Sequence, residues 1–175
     1  MTNAVPVIET PRLRLRAFNQ DDLAIWAPVM ADPEVARYLG GHPFSREETW
    51  RRILSSTGAW SLLGYGYWAV ERKGEGDPIG QIGFADFKRD MRPSIEGLPE
   101  MGWIFAPHAH GKGYATEAVQ AALDWADARL KAPVIPAIID HGNAPSIRLA
   151  ERCGFAEREE ATYRESPILL LRRVR

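Results

Sequence analysis

The segment from Met101 to Ile139 limits what this chain can fold into more than any other part of the sequence. Met101–Phe105 has the pattern of a strand, a loop with two glycines follows it, and Val134–Ile139 is a short apolar run suited to a sheet interior. Between them, apolar residues recur at helical spacing at Ala115, Ala118, Val119, Ala122, Leu123 and Ala126. A crossover helix of this kind makes the two strands parallel neighbours.

Further strands and helices are indicated on both sides of this unit. Leu13, Leu15 and Ala17 alternate with arginines, which is the period of a half-buried strand. Other strands are predicted at Tyr65–Arg72, Ile79–Lys88, Ala156–Tyr163 and Ile168–Val174. Helices are predicted after Asn19 with a break near Pro28, from Ser45 with Glu48 in a capping box, and at Ser146–Arg152 with Gly154 as a left-handed cap. The expected fold class is α/β, with a mixed sheet of about seven strands flanked by about four helices.

The composition indicates how many domains the chain forms, which partners are expected and where in the cell it is expected. Its 175 residues fit a single domain, expected to span residues 1–175. The 22 Lys and Arg against 23 Asp and Glu give a net charge of −1, so neither nucleic acid nor a membrane is an expected partner. No targeting segment or apolar run of about 18 residues is present, and the single cysteine, Cys153, fits a cytoplasmic location. A homodimer could form through an exposed terminal strand at Ile168–Val174, although its arginines would equally protect an edge.

The glycine loop before the central helix is suited to binding an anion. Gly111 and Gly113 lack side chains that would keep a phosphate away, and the first turn of the helix offers unpaired N–H groups and partial positive charge. The spacing fits neither the dinucleotide fingerprint nor the P-loop. An ordinary tight turn explains the two glycines equally well.

A second cluster, which reads DHGNAPSIRLAERCGF, runs from Asp140 to Phe155 after the apolar strand. In this order the two motifs resemble the GNAT acyltransferase superfamily, and most closely its RimJ/RimL-like branch, whose members acetylate protein amino termini and other amines. The opening TPRLRLR, from Thr10 to Arg16, resembles the same branch. The resemblance covers the chain from Glu9 to Phe155.

This resemblance implies an N-acetyltransferase that moves the acetyl group of acetyl-CoA to a primary amine. It implies a sheet that splays between Met101–Phe105 and Val134–Ile139, where pantetheine would pair with free backbone groups of Ile104, Phe105 and Ala106. The implied pyrophosphate loop comprises His110, Gly111, Lys112, Gly113, Tyr114 and Ala115, while Asn143 and Ser146 would lie near the pantetheine and the thioester. The sequence departs from the family at His110, where Gln or Arg is common, and at Ala150, where many members have a proton-donating tyrosine.

Acyl transfer also needs a base and a proton donor. Ser146 is the candidate proton donor, and the alternative is that it only caps the helix. Glu100 is the candidate base, and the alternative is a strand-end carboxylate paired with a surface arginine. Asn143 either orients a ligand or satisfies a turn. Direct attack in a ternary complex is expected, because Cys153 is interpreted as a core residue rather than a nucleophile.

The acceptor site is expected between the early helices and the loops at Gly64–Trp68 and Pro93–Pro99, with Tyr38 and Tyr65 as substrate-contacting residues. The acceptor is a protein N-terminus or a small-molecule amine. His108, His110 and His141 lack metal-ligand spacing, so no metal is expected. The rival hypothesis is a non-catalytic acyl-CoA-binding or sensing domain, and a small nucleotide-binding module ranks last.

Overall fold

The computed structural model describes residues 4–175 as a layered arrangement of two sheets with helices against them. The helices are α1 Asp22–Met30, α2 Pro33–Ala36, α3 Arg46–Leu63, α4 Tyr114–Arg129 and α5 Ala144–Arg152. The strands are β1 Ile8–Glu9, β2 Leu13–Arg16, β3 Tyr67–Arg72, β4 Pro78–Ala85, β5 Met91–Arg92, β6 Glu100–Phe105, β7 Val134–Ile139, β8 Glu157–Tyr163 and β9 Ser166–Val174. Within the described residues, no helix combines the length and apolar character needed to cross a membrane.

The two sheets meet at β6 and β7 without pairing. The first sheet has the order β1-β2-β3-β4-β6 and the second β5-β8-β9-β7, and every paired neighbour is antiparallel. Strands β6 and β7 lie beside each other at the facing edges, but among residues 4–175 no backbone hydrogen bond joins them. The α/β fold and its central splay are thus confirmed. The sequence suggested one mixed sheet, but the splay divides the strands into two sheets, of five and four strands.

Several local predictions are confirmed, and others need correction. Strand β7 has the predicted bounds, and Ser45 and Glu48 form the predicted capping box at the start of α3. Helix α1 is not broken near Pro28 but continues to Met30, because Pro28 lies in the last turn, where few hydrogen bonds remain to be lost. Helix α5 begins at Ala144 rather than at Ser146. The short elements α2, β1 and β5 were missed.

The last strand does not lie at an edge. The prediction that Ile168–Val174 is an exposed strand that could pair between subunits is wrong, because β9 is hydrogen-bonded to β7 on one side and to β8 on the other. Its arginines do not guard an edge either. Arg172 pairs with Glu159 at 2.6 Å, and Arg173 makes two hydrogen bonds to Asp127 of α4. Both therefore tie β9 to its neighbours.

Strand β6 has two differently packed faces. Met101, Trp103 and Phe105 contact the main core, which also contains the buried face of α4. Ile104 packs on the opposite face, against Trp26 of α1 and the buried Phe44. Because side chains alternate along a strand, Glu100 and Gly102 share the face of Ile104. That face lies towards α1 and the chain that leads into α3.

A buried ion cluster joins the first strands to α1. Arg16 of β2 donates from Nε to Glu71 of β3 at 2.6 Å and from both terminal nitrogens to Asp22 of α1 at 2.8 Å. Its remaining hydrogen bonds reach the carbonyls of Ala17 and Gly76. The hydrogen bonds with Asp22 raise the pKa of Arg16, although burial opposes this effect. The cluster therefore joins two nearly buried carboxylates to one guanidinium within the packed layers.

Replacing the central cation should leave Asp22 buried without a cationic partner and Glu71 with only Arg14, at 3.7 Å. We predict that Arg16→Met lowers the free energy of unfolding by about 3 to 5 kcal/mol, as measured by urea unfolding. Arg14→Met is the matched control on the same face of β2, because the Arg14 side chain is 46% exposed and such surface pairs contribute about 1 kcal/mol or less. Equal losses in the two variants would contradict this account of the cluster.

Candidate functional site

The loop between β6 and α4 forms a cradle of unpaired backbone donors. After a 3-10 turn at Pro107–Ala109, Gly111 and Gly113 adopt φ angles of 72° and 78°, which side chains disfavour. Within the part of the chain that is described, no N–H group from Gly111 to Thr116 donates a hydrogen bond. These groups lie where the dipole of a 16-residue helix adds partial positive charge. The cradle is therefore suited to a phosphate or pyrophosphate.

Arg12 contacts the loop of this cradle and the first residue of α4. Its Nη1 donates to the carbonyl of Lys112 at 2.8 Å, and its guanidinium lies 4.7 Å from the ring centroid of Tyr114. Its Nε donates at 2.7 Å to Glu117, which also accepts from Thr10. Burial raises the pKa of Glu117, but these hydrogen bonds outweigh it and lower the pKa overall. The sequence motif at Thr10–Arg16 gave no role to Arg12, which the structure shows to be a brace for the loop.

The His110 side chain turns away from the cradle. Its Nε2 lies 3.0 Å from the carbonyl oxygen of Phe105. A carbonyl only accepts, so Nε2 carries the hydrogen and donates it. Nε2 of His110 is thus used within the loop, and the backbone N–H groups of Gly111–Ala115 form the main donor set.

Only some of the backbone N–H and C=O groups that were predicted to be free on β6 face the gap between β6 and β7. The N–H of Ala106 donates to Ile79 of β4 at 2.9 Å, so the prediction that it is free is wrong. Backbone direction alternates along a strand, which places the polar groups of Ile104 on the same β4 side. Phe105 and Trp103 point their groups towards β7 instead. The carbonyl of Phe105 is occupied by His110, which leaves its N–H available.

The capping role that the sequence offered as the alternative for Ser146 belongs to Asn143. Asn143 is the N-cap of α5, and its side-chain oxygen accepts from the backbone N–H of Ser146 at 3.2 Å. Ser146 is therefore not the cap. Its Oγ accepts from Nε1 of Trp103 at 3.2 Å, across the gap between β7 and β6. The hydroxyl hydrogen has no protein acceptor within residues 4–175.

Two neighbouring positions on and after α5 are closed to the site. Ala150, where many relatives have a tyrosine, has no exposed surface. Cys153 is 6% exposed, and burial raises the pKa of its thiol. A buried thiol with a raised pKa is a poor nucleophile, as expected of a core cysteine.

Glu100 lies at the start of β6 in an ion pair with Arg89. Its side chain is 5% exposed, and it accepts from Nε and Nη2 of Arg89 at 2.6 and 2.8 Å. The guanidinium of Arg89 lies 4.6 Å from the ring of Phe87 and 4.9 Å from that of Tyr163. Burial raises the pKa of Glu100, and the charge of Arg89 opposes this. Because Arg89 is itself largely enclosed, the pair is more than a surface contact; the catalytic role stays a prediction.

Tyr67 belongs to this face. It lies in the Gly64–Trp68 segment that the sequence analysis placed at the acceptor site, although Tyr65 rather than Tyr67 was singled out there. The Tyr67 ring reaches across the sheet so that the hydroxyl lies over Gly102, where a Cβ atom would collide with it. Burial raises the pKa of Tyr67, so the hydroxyl stays protonated and can donate. A glycine inside a strand often marks the close approach of another group, and that was the available signal.

The two predicted acceptor-site tyrosines have different surroundings. Tyr38 donates from its hydroxyl to the carbonyl of Gly142 at 3.0 Å, which places it beside Asn143. Tyr65 is half-buried against the main core, and burial raises its pKa. The structure therefore brings Tyr38 to the loop after β7, whereas Tyr65 packs at the end of the first sheet.

The histidines have partners other than a metal. His141 lies 2.7 Å from Glu160, and His42 lies 3.8 Å from Glu48. Among the described residues, no group of three His, Cys, Asp or Glu side chains is arranged to bind a metal ion.

Known proteins share both the sequence pattern and the fold. The family model described as an acetyltransferase (GNAT) domain matches residues 12–156. The uncharacterised protein YkkB of Bacillus subtilis is 31% identical, over 87% of each chain, and the uncharacterised N-acetyltransferase p20 of Bacillus licheniformis is 30% identical, over 83% of this chain and 80% of its own. The structure of a putative GnaT-family acetyltransferase from Bordetella pertussis is similar with a TM-score of 0.85, at 28% identity, over 97% of this chain and all of that one.

The cap assignment predicts an asymmetry between two side chains of α5. Asn143→Ala should lower the free energy of unfolding by about 1 kcal/mol, because the cap is lost. Ser146→Ala should change it little, because the better helix propensity of alanine offsets the lost hydrogen bond from Trp103. Urea unfolding of both variants tests this, and a larger loss for Ser146→Ala would refute the assignment of Asn143 as the cap.

Proposed function

This chain belongs to the GNAT acetyltransferase family, and from that membership we propose how its residues carry out the reaction. It is an acetyl-CoA-dependent N-acetyltransferase. The non-catalytic alternative is not favoured, because the matching relatives include a protein named as an N-acetyltransferase. We propose direct transfer from the thioester to a primary amine in a ternary complex, since the sole cysteine is buried.

The observation that carries the donor site is the run of unpaired N–H groups from Gly111 to Thr116. A diphosphate group satisfies such donors well. We propose that His110, Gly111, Lys112, Gly113, Tyr114 and Ala115 surround the pyrophosphate of coenzyme A. The RimL ribosomal L7/L12 alpha-N-protein acetyltransferase, which shares this fold at 14% identity and a TM-score of 0.75, was solved in complex with coenzyme A.

The gap between β6 and β7 is the proposed place for the pantetheine arm. Phe105 has an N–H available on this edge, and Ile104 and Ala106 would contribute by packing rather than by free donors. Asn143 uses its side-chain oxygen for the cap, so its amide nitrogen remains to donate to a ligand carbonyl. Bound acetyl-CoA supplies the acetyl thioester to this gap.

We propose that Glu100 accepts the proton that the attacking amine loses, directly or through water. Arg89 engages each carboxylate oxygen once, and each oxygen retains a further lone pair. Ser146 is the proposed donor to the departing sulfur. Trp103 donates to its Oγ, which orients the hydroxyl and leaves its hydrogen free. The products are an N-acetylated amine and the free thiol of coenzyme A, and Ser146 regains its proton from solvent.

The acceptor is an amine on a protein N-terminus or a small molecule, and both classes occur on this fold. Neighbours from Vibrio cholerae include a putative ribosomal-protein-serine acetyltransferase and a spermidine N-acetyltransferase, at 19% and 20% identity. We propose that Tyr38 and Tyr65 contact the acceptor and that the chain lies in the RimJ/RimL-like branch. A single domain over residues 1–175 and a cytoplasmic location, which fits the buried lone thiol of Cys153, are part of the same proposal.

Thermal unfolding tests the donor site. Acetyl-CoA or CoA at about 100 times its dissociation constant should add about 2.7 kcal/mol, which raises Tm by about 5 to 10 °C for a chain of this length. NAD and ATP should cause no shift. Arg12→Ala should lower the affinity about tenfold and so about halve the shift at the same acetyl-CoA concentration. Arg14→Ala is the control, and no shift with either CoA species in the unmodified protein would overturn the proposed function.

The pH dependence of kcat/KM tests Glu100. A base must be deprotonated, so activity should fall as the pH falls through the raised pKa of Glu100. Glu100→Gln should lose this acid limb and about 10² to 10⁴ of the rate. Arg89→Gln should move the limb to higher pH, because it removes the charge that opposes the effect of burial. Full activity of Glu100→Gln across the pH range would exclude Glu100 as the base.

A further inference from the structure

Arg52 of α3 is a cation without a partner on the face of β6 that carries Glu100 and Gly102. Within residues 4–175, its guanidinium makes no hydrogen bond and no salt bridge. It instead lies 4.7 Å from the ring centroid of Phe44. Phe44 packs against Ile104 of β6, so this stacking places Arg52 beside the strand that flanks the proposed thioester site.

Arg52 is solvent-exposed, but part of its side chain packs on protein atoms. Desolvation by these atoms lowers the pKa of Arg52, and the positive charge of Arg89 contributes to the lowering, while Tyr67 and Glu48 oppose it. An exposed but partly desolvated guanidinium lies along the protein surface, as its stacking on Phe44 requires, rather than projecting into water.

A second donor reaches the same face. Tyr67 places its hydroxyl over Gly102, and no protein group within residues 4–175 hydrogen-bonds to it. Arg89 is committed to protein partners, because Nε and Nη2 donate to Glu100 and the guanidinium lies against the rings of Phe87 and Tyr163. The hydroxyl of Tyr67 and the guanidinium of Arg52 thus keep hydrogens that no described residue accepts.

The carboxylates close to these donors are already engaged. Glu100 is held by Arg89, and Asp86 by the side chain of Lys88 and the N–H of Gly97. Glu48 accepts from the backbone N–H of Ser45 in the capping box. These carboxylates equal Arg52, Lys88 and Arg89 in number, but none of them accepts a hydrogen bond from the Arg52 guanidinium within residues 4–175. The donors of Arg52 are therefore open to an oxyanion from solution.

We propose that Arg52, with Tyr67, binds an anionic group of the acceptor, so that the acceptor is a small zwitterionic molecule with both an amine and a carboxylate or phosphate-type group. This proposal rests on the proposed function. A guanidinium pairs with such oxyanions through two parallel hydrogen bonds, and a phenol adds a third. The amine of the same molecule then lies on the side of Glu100. A polyamine would meet an unpaired guanidinium instead, which disfavours its binding.

Comparing acceptors that carry an anionic group with matched acceptors that lack it tests this proposal. Release of the thiol of CoA from acetyl-CoA is measured with a set of free amino acids, their amides, aminoalkyl phosphonates and phosphates, spermidine, and a short peptide with a free N-terminus. We expect kcat/KM for a free amino acid to exceed that for its amide by about 10- to 100-fold, the worth of hydrogen bonds to a charged group. Preference for the phosphonates and phosphates over the carboxylates would identify a phosphate-type group as the anion, and the reverse a carboxylate.

Variants separate recognition of the anion from other effects. Arg52→Gln should bring the carboxylate-to-amide ratio towards one, mainly through a higher KM for the carboxylate, and Tyr67→Phe should move it in the same direction by a smaller factor. Arg51→Gln is the matched control, because Arg51 directly precedes Arg52 in α3, is exposed and pairs with Glu47. It should keep the unmodified ratio. An unchanged ratio in Arg52→Gln would overturn the proposal.

The two proposals fail in different ways. If acetyl-CoA stabilises the protein but amides, spermidine or the peptide are acetylated as well as the free amino acids, the assignment of Arg52 is wrong and the donor site stands. If acetyl-CoA causes no thermal shift, the proposed function is wrong. An Arg52→Gln variant that unfolds is replaced by Arg52→Lys, which keeps the charge but loses the paired hydrogen bonds and should reduce the same ratio.

Discussion

The unpaired edge between β6 and β7 is the constraint on which the rest of the structure depends. Across residues 4–175 the two sheets share packing but no backbone ladder at this edge. A sheet edge left inside a protein needs other partners for its polar groups. Here the protein supplies a few of them itself: His110 takes the carbonyl of Phe105, and Trp103 reaches across the gap to Ser146. The N–H of Phe105 stays open on this edge, and the donor cradle at Gly111–Thr116 follows β6 along the chain, so one discontinuity in the fold leaves two sets of backbone donors for a ligand.

Arg12 and Glu117 hold the loop of the donor cradle in one conformation before a ligand binds. A loop with two residues in the left-handed region has few contacts of its own, and free N–H groups would turn towards water if the loop could move. Arg12 prevents this by fixing the carbonyl of Lys112 on the side away from the cradle, while Glu117 fixes Arg12. The brace comes from the first strands, which the Arg16 cluster ties to α1 and β3. Rigidity at the amino-terminal end of the chain is thus transmitted to a loop about 100 residues away, where it reduces the cost of ordering on ligand binding.

The sequence was most informative where the physics is local. The apolar run of β7, the capping box at Ser45 and the left-handed Gly154 all follow from neighbouring residues, and the structure has them as predicted. Errors arose where distant segments decide. Nothing near Ile168 indicates that β9 inserts between β7 and β8, nor does the sequence near Ala106 indicate that its N–H pairs with Ile79. Within the site, Asn143 and Ser146 were found through a family pattern, but which of them caps the helix depends on backbone direction. Arg12, Arg52 and Tyr67 carried no motif that assigns them a site role, because their significance arises only from what lies opposite.

Arg89 and Arg52 are both arginines on the same face of β6, but they have different partners. Arg89 lies against two rings and makes two hydrogen bonds to Glu100, so its charge stabilises a buried carboxylate. Arg52 also stacks on a ring, but no carboxylate meets it among the described residues. Arg52 therefore differs from Arg89 in keeping all the donors of its guanidinium, so that an oxyanion of the substrate can pair with them beside the proposed reaction centre.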